Sequence, residues 1–288
     1  MNAFAPVSVV PCDGYEKDTV KSALQNLLSP LGGLSAFVKP GMTVVLKANL
    51  VSGMKPEKAA TTNPVLLAVL TEEIVALGAK VLLGDSPGGL YNVAHVGHVY
   101  DLSGMKQVED AGGELNRDFS QKQAEYPNAH VLKSFTYTAY LDRADLLIDV
   151  CKIKSHGMMK LSCAAKNMFG TVPGLIKPEY HYRFPDYRDF ADMILDLDDY
   201  FHPALSIADG VIGMEGNGPT AGTPKRIGCL LASVSPHCLD LAASSLLGLT
   251  PSAVPTLERA RAHGLIPENA GQLEVFGDLE AFRVPDFK

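Results

Sequence analysis

The chain has 288 residues, 47% of them hydrophobic, so it can bury a substantial core and is not predicted to be disordered. Its net charge of −7 disfavours nucleic acid as a partner, because phosphate contacts are made by clustered Lys and Arg. Charged residues interrupt every apolar run before the roughly 18 residues that a membrane span needs, and the first residues lack the pattern of a secretory signal. We therefore expect a cytoplasmic protein without a membrane partner.

The cysteines are odd in number and form no CxxC pair, which argues against a disulfide framework and against an iron–sulfur or zinc motif in this chain. We expect each to be a small buried hydrophobic residue: Cys12, Cys151, Cys163, Cys229 and Cys238.

Apolar, β-branched runs alternate along the chain with segments of helical period. This alternation predicts an α/β protein with a mixed, largely parallel sheet flanked by helices. Strands are predicted at residues 7–10, 42–47, 80–83, 146–150, 205–208, 227–232 and 273–276. Because no linker or repeat divides the chain, we expect one domain over 1–288 or two interleaved α/β lobes around a cleft, with a boundary near 118–128.

Helices are predicted most clearly at three places. The first spans 64–77, with Asn63 as its cap and Pro64 at its first position. The others span about 186–200 and 250–264. Four acids of the 186–200 helix are expected to form a solvated face rather than a metal site: Asp189, Asp192, Asp196 and Asp199.

The first segment with candidate chemistry is 44–64, where a strand leads through a polar loop to a capped helix. Lys47 and Asn49 fall at the carboxyl end of the strand, which is where α/β proteins bind ligands. Thr61 and Thr62 precede a helix N-terminus, whose free N–H groups favour an anion. Alternatively, these two threonines and Asn63 only cap the helix.

The second segment is GDSPGG at 84–89, directly after a predicted strand. Asp85 and Ser86 could hydrogen-bond a ligand there, and the glycines would let the backbone approach it. A plain turn explains the segment equally well. The chain contains neither GxGxxG nor a P-loop motif, so nucleotide binding has no support.

The third segment, 151–183, inverts the charge of the chain. It sets six cations against one acid, Glu179, and alternates them with apolar residues: Lys152, Lys154, Lys160, Lys166, Lys177 and Arg183. Partly burying a lysine is costly without a counter-charge, so we expect these cations to face inward and bind an anionic ligand.

Within this segment, His156 and His181 adjoin the lysines, and a histidine suits proton transfer or metal ligation near neutral pH. Lys166 lies in the apolar run Cys-Ala-Ala-Lys-Asn, with Asn167 beside it as a polar ligand contact. A desolvated lysine can act as a base, a nucleophile or a cofactor anchor. We therefore predict His156, Lys166 and His181 as catalytic residues.

The fourth segment, 207–228, runs from a strand into a glycine-rich loop. Glu215 and Asn217 are the polar groups of a loop that could close over a ligand. A wide connection between two strands is the alternative.

These motifs together resemble the domain of unknown function 362 family: KAN at 47–49, TTNP at 61–64, GDSPGG at 84–89, KIKSHGMMKLSCAAKNMFGTVPG at 152–174 and DGVIGMEGNGPTAGTP at 209–224. The resemblance covers nearly the whole chain. Many members carry a ferredoxin-type segment of clustered cysteines, which this sequence lacks. The resemblance implies that a separate ferredoxin supplies electrons, that the protein is not a redox protein, or that the chain is a piece of a longer one.

The chain is also distantly similar to the N-terminal domain of the nickel-pincer lactate racemase family. His156, Lys166 and His181 follow one another there as a histidine, a lysine and a second histidine do in that family. The similarity implies that Lys166 anchors a cofactor, that His181 helps to hold a metal and that His156 has an acid–base role. A two-base racemisation is not implied, because Gly-Asp-Ser-Pro replaces the family's other acid–base histidine.

The leading hypothesis from the sequence is an enzyme of unassigned, redox-linked reaction. It would bind a small anionic molecule or cofactor, with Lys47, Lys154 and Lys166 neutralising its charge and His156 moving a proton. One alternative is a binding protein for a cofactor or metallocluster, without turnover. Another is an isomerase or epimerase that uses a metal-bound cofactor.

Overall fold

The structure is a computed structural model and describes residues 4–288. Its strands are β1 (Val7–Pro11), β2 (Thr43–Ala48), β3 (Lys80–Gly84), β4 (Glu114–Leu115), β5 (Gln121–Glu125), β6 (Ser134–Thr138), β7 (Leu146–His156), β8 (Lys160–Ser162), β9 (Leu205–Glu215), β10 (Thr223–Ser233) and β11 (Val275–Phe276).

The helices are α1 (Lys17–Leu28), α2 (Leu34–Phe37), α3 (Pro64–Ala76), α4 (Val93–Ser103), α5 (Lys106–Asp110), α6 (Ala164–Asn167), α7 (Lys177–Arg183), α8 (Tyr187–Phe201), α9 (Pro236–Leu246) and α10 (Pro255–Ala262). None of the helices in residues 4–288 combines the length and hydrophobicity needed to cross a bilayer.

Nine strands form one mixed sheet in the order β11-β1-β10-β9-β7-β2-β3-β4, with β8 on the edge of β7. The central run β9-β7-β2-β3-β4 is parallel, while β10 is antiparallel to both β9 and β1. Helices cover both faces of the sheet and bury apolar clusters against it. The predicted α/β class with a largely parallel sheet is confirmed.

The helix α3 shows how local sequence fixes the elements. Pro64 occupies its first position, and the Asn63 side chain accepts a hydrogen bond from the Val65 N–H at 3.0 Å. The predicted cap is therefore confirmed. The separate hairpin of β5 and β6 lies where a lobe boundary was expected, and the division into two lobes stays a prediction.

Two strands extend beyond their predicted ends. The strand β7 was predicted to end at Val150 and continues to His156, and β9 was predicted to end at Ala208 and continues to Glu215. Both predictions stopped where charged residues begin. Lys152 and Asp209 nevertheless lie inside the sheet, because they pair with each other there.

The expectation of a solvated acidic face on α8 was wrong for two of its acids. Asp192 is 5% exposed and pairs with Arg259 and His263 of the neighbouring chain segment. Asp196 is 1% exposed and accepts three backbone N–H groups from residues 130–132. Both acids therefore connect α8 to neighbouring segments, and both carboxylate oxygens of Asp196 have backbone donors.

Candidate functional site

A cavity of about 200 Å³ lies where the parallel strands β2, β3 and β7 end. Loops that follow these strands, together with α6 and α7, form its wall. This position agrees with the rule that α/β sheets bind ligands beyond the carboxyl ends of their strands. Its lining residues are Asn49, Val51, Asp85, Ser86, Gly88, Lys154, His156, Ser162, Lys166, Asn167, Phe169, Gly170, Lys177, His181 and Pro219.

An ion pair forms the base of the cavity. Lys47 is fully buried at the end of β2, and its Nζ lies 2.8 Å from Asp85 Oδ1. Gly170 packs on this pair so closely that a Cβ there would lie 2.2 Å from Asp85 Oδ1 and 2.5 Å from Lys47 Nζ. Lys47 therefore supports the site and does not line it, which differs from the predicted ligand contact.

A network of amides holds Lys154. Its Nζ donates to Asn49 Oδ1 at 2.9 Å and to the carbonyl of Ala60 at 2.7 Å. Asn49 in turn donates through Nδ2 to Asn167 Oδ1 at 2.9 Å. Lys154 is 0% exposed and forms no ion pair with a carboxylate of the described residues. Burial, with repulsion from Lys166 and Lys152, lowers its pKa to about 7.

The ammonium groups of Lys166 and Lys177 lie near the same aromatic ring, and neither group pairs with a carboxylate of residues 4–288. Their Nζ atoms lie 4.8 Å and 5.9 Å from the ring centroid of Phe169. Lys177 also donates to the carbonyl oxygen of Ser86. Burial is the main cause that lowers the pKa of Lys166 to about 7 and that of Lys177 to about 8. Both ammonium groups are thus destabilised in the free protein.

His156 ends β7 at the edge of the cavity and is half-buried. Its Nδ1 accepts a hydrogen bond from the backbone N–H of Met159 at 3.1 Å. Burial, followed by repulsion from Lys166 and Lys154, lowers its pKa to about 3. The imidazole is therefore neutral at physiological pH.

His181 lies on α7 and is exposed, with its ring stacked on Phe190 at a centroid distance of 4.7 Å. Lys166 Nζ lies 6.0 Å from the same ring. Partial desolvation of the ring, followed by repulsion from Lys166, lowers the pKa of His181. The structure thus brings together the predicted catalytic residues His156, Lys166 and His181 at one cavity.

Two buried acids that the sequence analysis missed position α6, the short helix that carries Lys166. Asp240 accepts from the N–H groups of Ala164 and Ala165 at 2.7 and 3.2 Å. Asp149 accepts from Asn167 Nδ2 at 2.6 Å. The available signal was a single acid inside an otherwise apolar run, as in LLIDVC and HCLDLAA.

Besides Lys47, four residues predicted to contact a ligand do not line the cavity. Thr62 uses its hydroxyl to join Asn49 N–H to the carbonyl of Val150. Thr61 is buried nearby, Asn217 is exposed, and Glu215 accepts from the backbone N–H of Lys288. The 207–228 segment contributes Pro219 instead.

The prediction that all six cations of segment 151–183 face inward was wrong for two of them. Lys160 and Arg183 are exposed. Lys152 is buried, does not line the cavity, and pairs with Asp209 at 2.9 Å. The remaining three ammonium groups line the cavity: Lys154, Lys166 and Lys177. Lys177 was counted among the cations but was not predicted to contact the ligand.

The electrostatics of the site are those of an anion-binding cavity. Asp85 is the only carboxylate among its lining residues, and Lys47 already neutralises it. The three lysines of the wall therefore have no counter-charge. A bound anion would supply it and would restore their usual pKa values, because opposite charge favours the charged form.

Metal-binding groups are sparse in the described part of the chain. No cluster of three or more His, Cys, Asp or Glu side chains in residues 4–288 could hold a metal ion. His181 offers one imidazole, so a metal there would need further ligands from a cofactor. All five cysteines are buried free thiols, as expected, and none lines the cavity.

Comparison with known proteins gives three results. The family model described as domain of unknown function (DUF362) matches residues 44–245. The thylakoid-associated protein sll1697 of Synechocystis sp. is 33% identical over 273 residues, which cover 92% of this chain and 81% of that protein. Because that relative is named for the thylakoid, a cytoplasmic location for this chain stays a prediction.

A solved structure shares the fold. The lactate racemase apoprotein from Thermoanaerobacterium thermosaccharolyticum superposes with a TM-score of 0.51 at 12% sequence identity. The match covers 86% of this chain and 57% of the racemase chain. At this low sequence identity, the likeness shows a shared fold alone.

Proposed function

We propose that this chain, which belongs to the DUF362 family, is an enzyme that binds a small oxyanionic molecule in the cavity between α6, α7 and the strand ends. The observation that carries the proposal is the convergence of three ammonium groups without a carboxylate partner: Lys154, Lys166 and Lys177. The cavity volume of about 200 Å³ suits a small carboxylate or phosphate group, or such a group on a larger ligand.

Within this proposal, Lys166 is the residue that acts on the ligand. Its pKa of about 7 leaves a substantial fraction of unprotonated amine at neutral pH in the free protein. A bound anion raises this pKa, so Lys166 takes up a proton on binding and can then act on the ligand as a charged donor or a general acid. Lys154, by contrast, is held by two acceptors and serves as a fixed donor to the anion.

The test compares two lysines of the same segment. Lys166→Met removes an ammonium from the cavity, and Lys160→Met removes one from the exposed β8 edge. By isothermal titration calorimetry with sulfate and with acetate, we expect Lys166→Met to weaken anion binding about tenfold or more, the effect of losing a charged hydrogen bond. Lys160→Met should bind like the wild type. Equal binding by both variants would contradict the proposal.

Turnover separates the enzyme from a binding protein. Incubation with pools of small carboxylates and phosphate esters should show steady-state consumption of one compound that depends on Lys166. Tight stoichiometric binding without consumption would instead support a carrier of an anionic cofactor. Redox coupling to a separate ferredoxin stays a prediction from the family resemblance.

A second candidate function is an isomerase or epimerase with a metal-bound cofactor. One observation favours it: Lys166 and His181 lie against the same Phe190 ring, in a fold shared with the lactate racemase apoprotein. Lys166 would anchor the cofactor and His181 would supply one ligand. Elemental analysis and absorption spectra of anaerobically purified protein test it, and the absence of both metal and chromophore would exclude it.

A further inference from the structure

The turn after β7 fixes the tautomer of His156. Its Nδ1 accepts the Met159 N–H, and a nitrogen that accepts a hydrogen bond carries no proton. The neutral ring therefore has its proton on Nε2. Since Nδ1 is engaged within the turn, Nε2–H is the group that His156 offers to a ligand in the cavity.

The carboxylate and amide oxygens of the cavity wall already accept hydrogen bonds from the protein. Asp85 accepts through both oxygens, from Lys47 and from two backbone N–H groups. The amide oxygens of Asn49 and Asn167 accept from neighbouring ammonium and amide groups. These carboxylate and amide oxygens are therefore not free for a ligand, and the lysine side chains, the serine hydroxyls, the His181 ring and the Nε2–H of His156 are the polar side-chain groups that remain.

From this arrangement we propose that His156 binds the oxyanion group of the ligand as a hydrogen-bond donor through Nε2–H. The inference rests on the proposed function and assigns His156 a binding role at the same cavity. A His156 that already carries its proton on Nε2 does not accept one from the ligand, so its expected acid–base role is replaced by anion binding.

Two variants separate the two nitrogens of His156. His156→Asn places an amide oxygen where Nδ1 accepts Met159 N–H, and it leaves no donor at the position of Nε2. His156→Gln reaches the position of Nε2 with an amide N–H and gives up the bond within the turn. We expect His156→Asn to weaken sulfate binding about tenfold or more, as losing a donor to a charged group does. We expect His156→Gln to retain most of the affinity.

Calorimetry with sulfate compares the two variants with the wild type. Equal losses of affinity in the Asn and Gln variants would overturn the inference.

Nitrogen-15 NMR of the His156 ring tests the tautomer without any ligand. We expect a protonated Nε2 and an unprotonated Nδ1. A protonated Nδ1 would contradict the inference even where anions bind, whereas failure of every anion to bind would contradict the proposed function. The two failures are therefore distinguishable.

Discussion

Lys152 and Lys154 lie two residues apart on one face of β7, and both are almost completely buried. Lys152 donates to the Asp209 carboxylate and to the Tyr15 hydroxyl, each at 2.9 Å. Lys154 finds only an amide oxygen and a carbonyl. The first lysine has its counter-charge within the fold, and the second has none.

This difference distinguishes a structural lysine from a ligand-binding one. A buried charge is costly unless it is paired, so the fold has to supply a partner or leave the charge to a ligand. Burial alone therefore does not identify the site. Full or partial burial without a carboxylate partner does, and it separates Lys154, Lys166 and Lys177 from Lys152 and Lys47.

The largest effect should follow from breaking the internal pair. Lys152→Met leaves the Asp209 carboxylate buried without its cation, and we expect a loss of about 3 to 5 kcal/mol in the free energy of unfolding, measured with urea. Lys154→Met leaves no carboxylate unpaired and should lower the free energy of unfolding by a smaller amount.

The double variant Lys152→Met with Asp209→Asn serves as the control, because it removes both charges. It should recover part of the stability that the single variant loses. If Lys154→Met lowered the free energy of unfolding as much as Lys152→Met does, the distinction between the two lysines would be contradicted.

A smaller effect is expected at the base of the cavity. Gly170→Ala would place a methyl group against the Lys47–Asp85 pair, so the pair or the loop must shift. We expect a loss of about 1 to 3 kcal/mol in the free energy of unfolding, which is typical of overpacking.

Gly157→Ala is the matched control, since a Cβ at Gly157 meets no atom within 4 Å. Its unfolding should match that of the wild type within error. If Gly170→Ala were as stable as the wild type, Gly170 would not pack against the Lys47–Asp85 pair as closely as the structure shows.

The sequence predicted the sheet, the α3 cap and the cation-rich segment, because apolar periodicity and local capping depend on neighbouring residues. It did not predict how far β7 and β9 extend. Lys152 and Asp209 look like strand ends until their pairing is known, and that pairing joins residues 57 positions apart. Long-range partners of this kind cannot be read from local pattern.

The same limit applies to the site. His156, Lys166, His181, Asn49 and Asp85 were predicted and lie at one cavity. The supporting role of Lys47 and the contribution of Lys177 depend on side-chain geometry, which spacing along the chain does not determine. The interactions of the two buried acids under α6 likewise became visible only in the folded chain.

The most direct test of the central claim is the number of protons taken up when an anion binds. In the free protein Lys154 and Lys166 have a pKa of about 7, below the 10.5 of an ordinary lysine, so both are largely neutral at alkaline pH. An anion raises both values, and binding should then draw protons from the buffer. Calorimetry of sulfate binding at alkaline pH, repeated in buffers of different ionisation enthalpy, should report net proton uptake in the wild type and less in Lys166→Met. Binding without proton uptake would contradict the account.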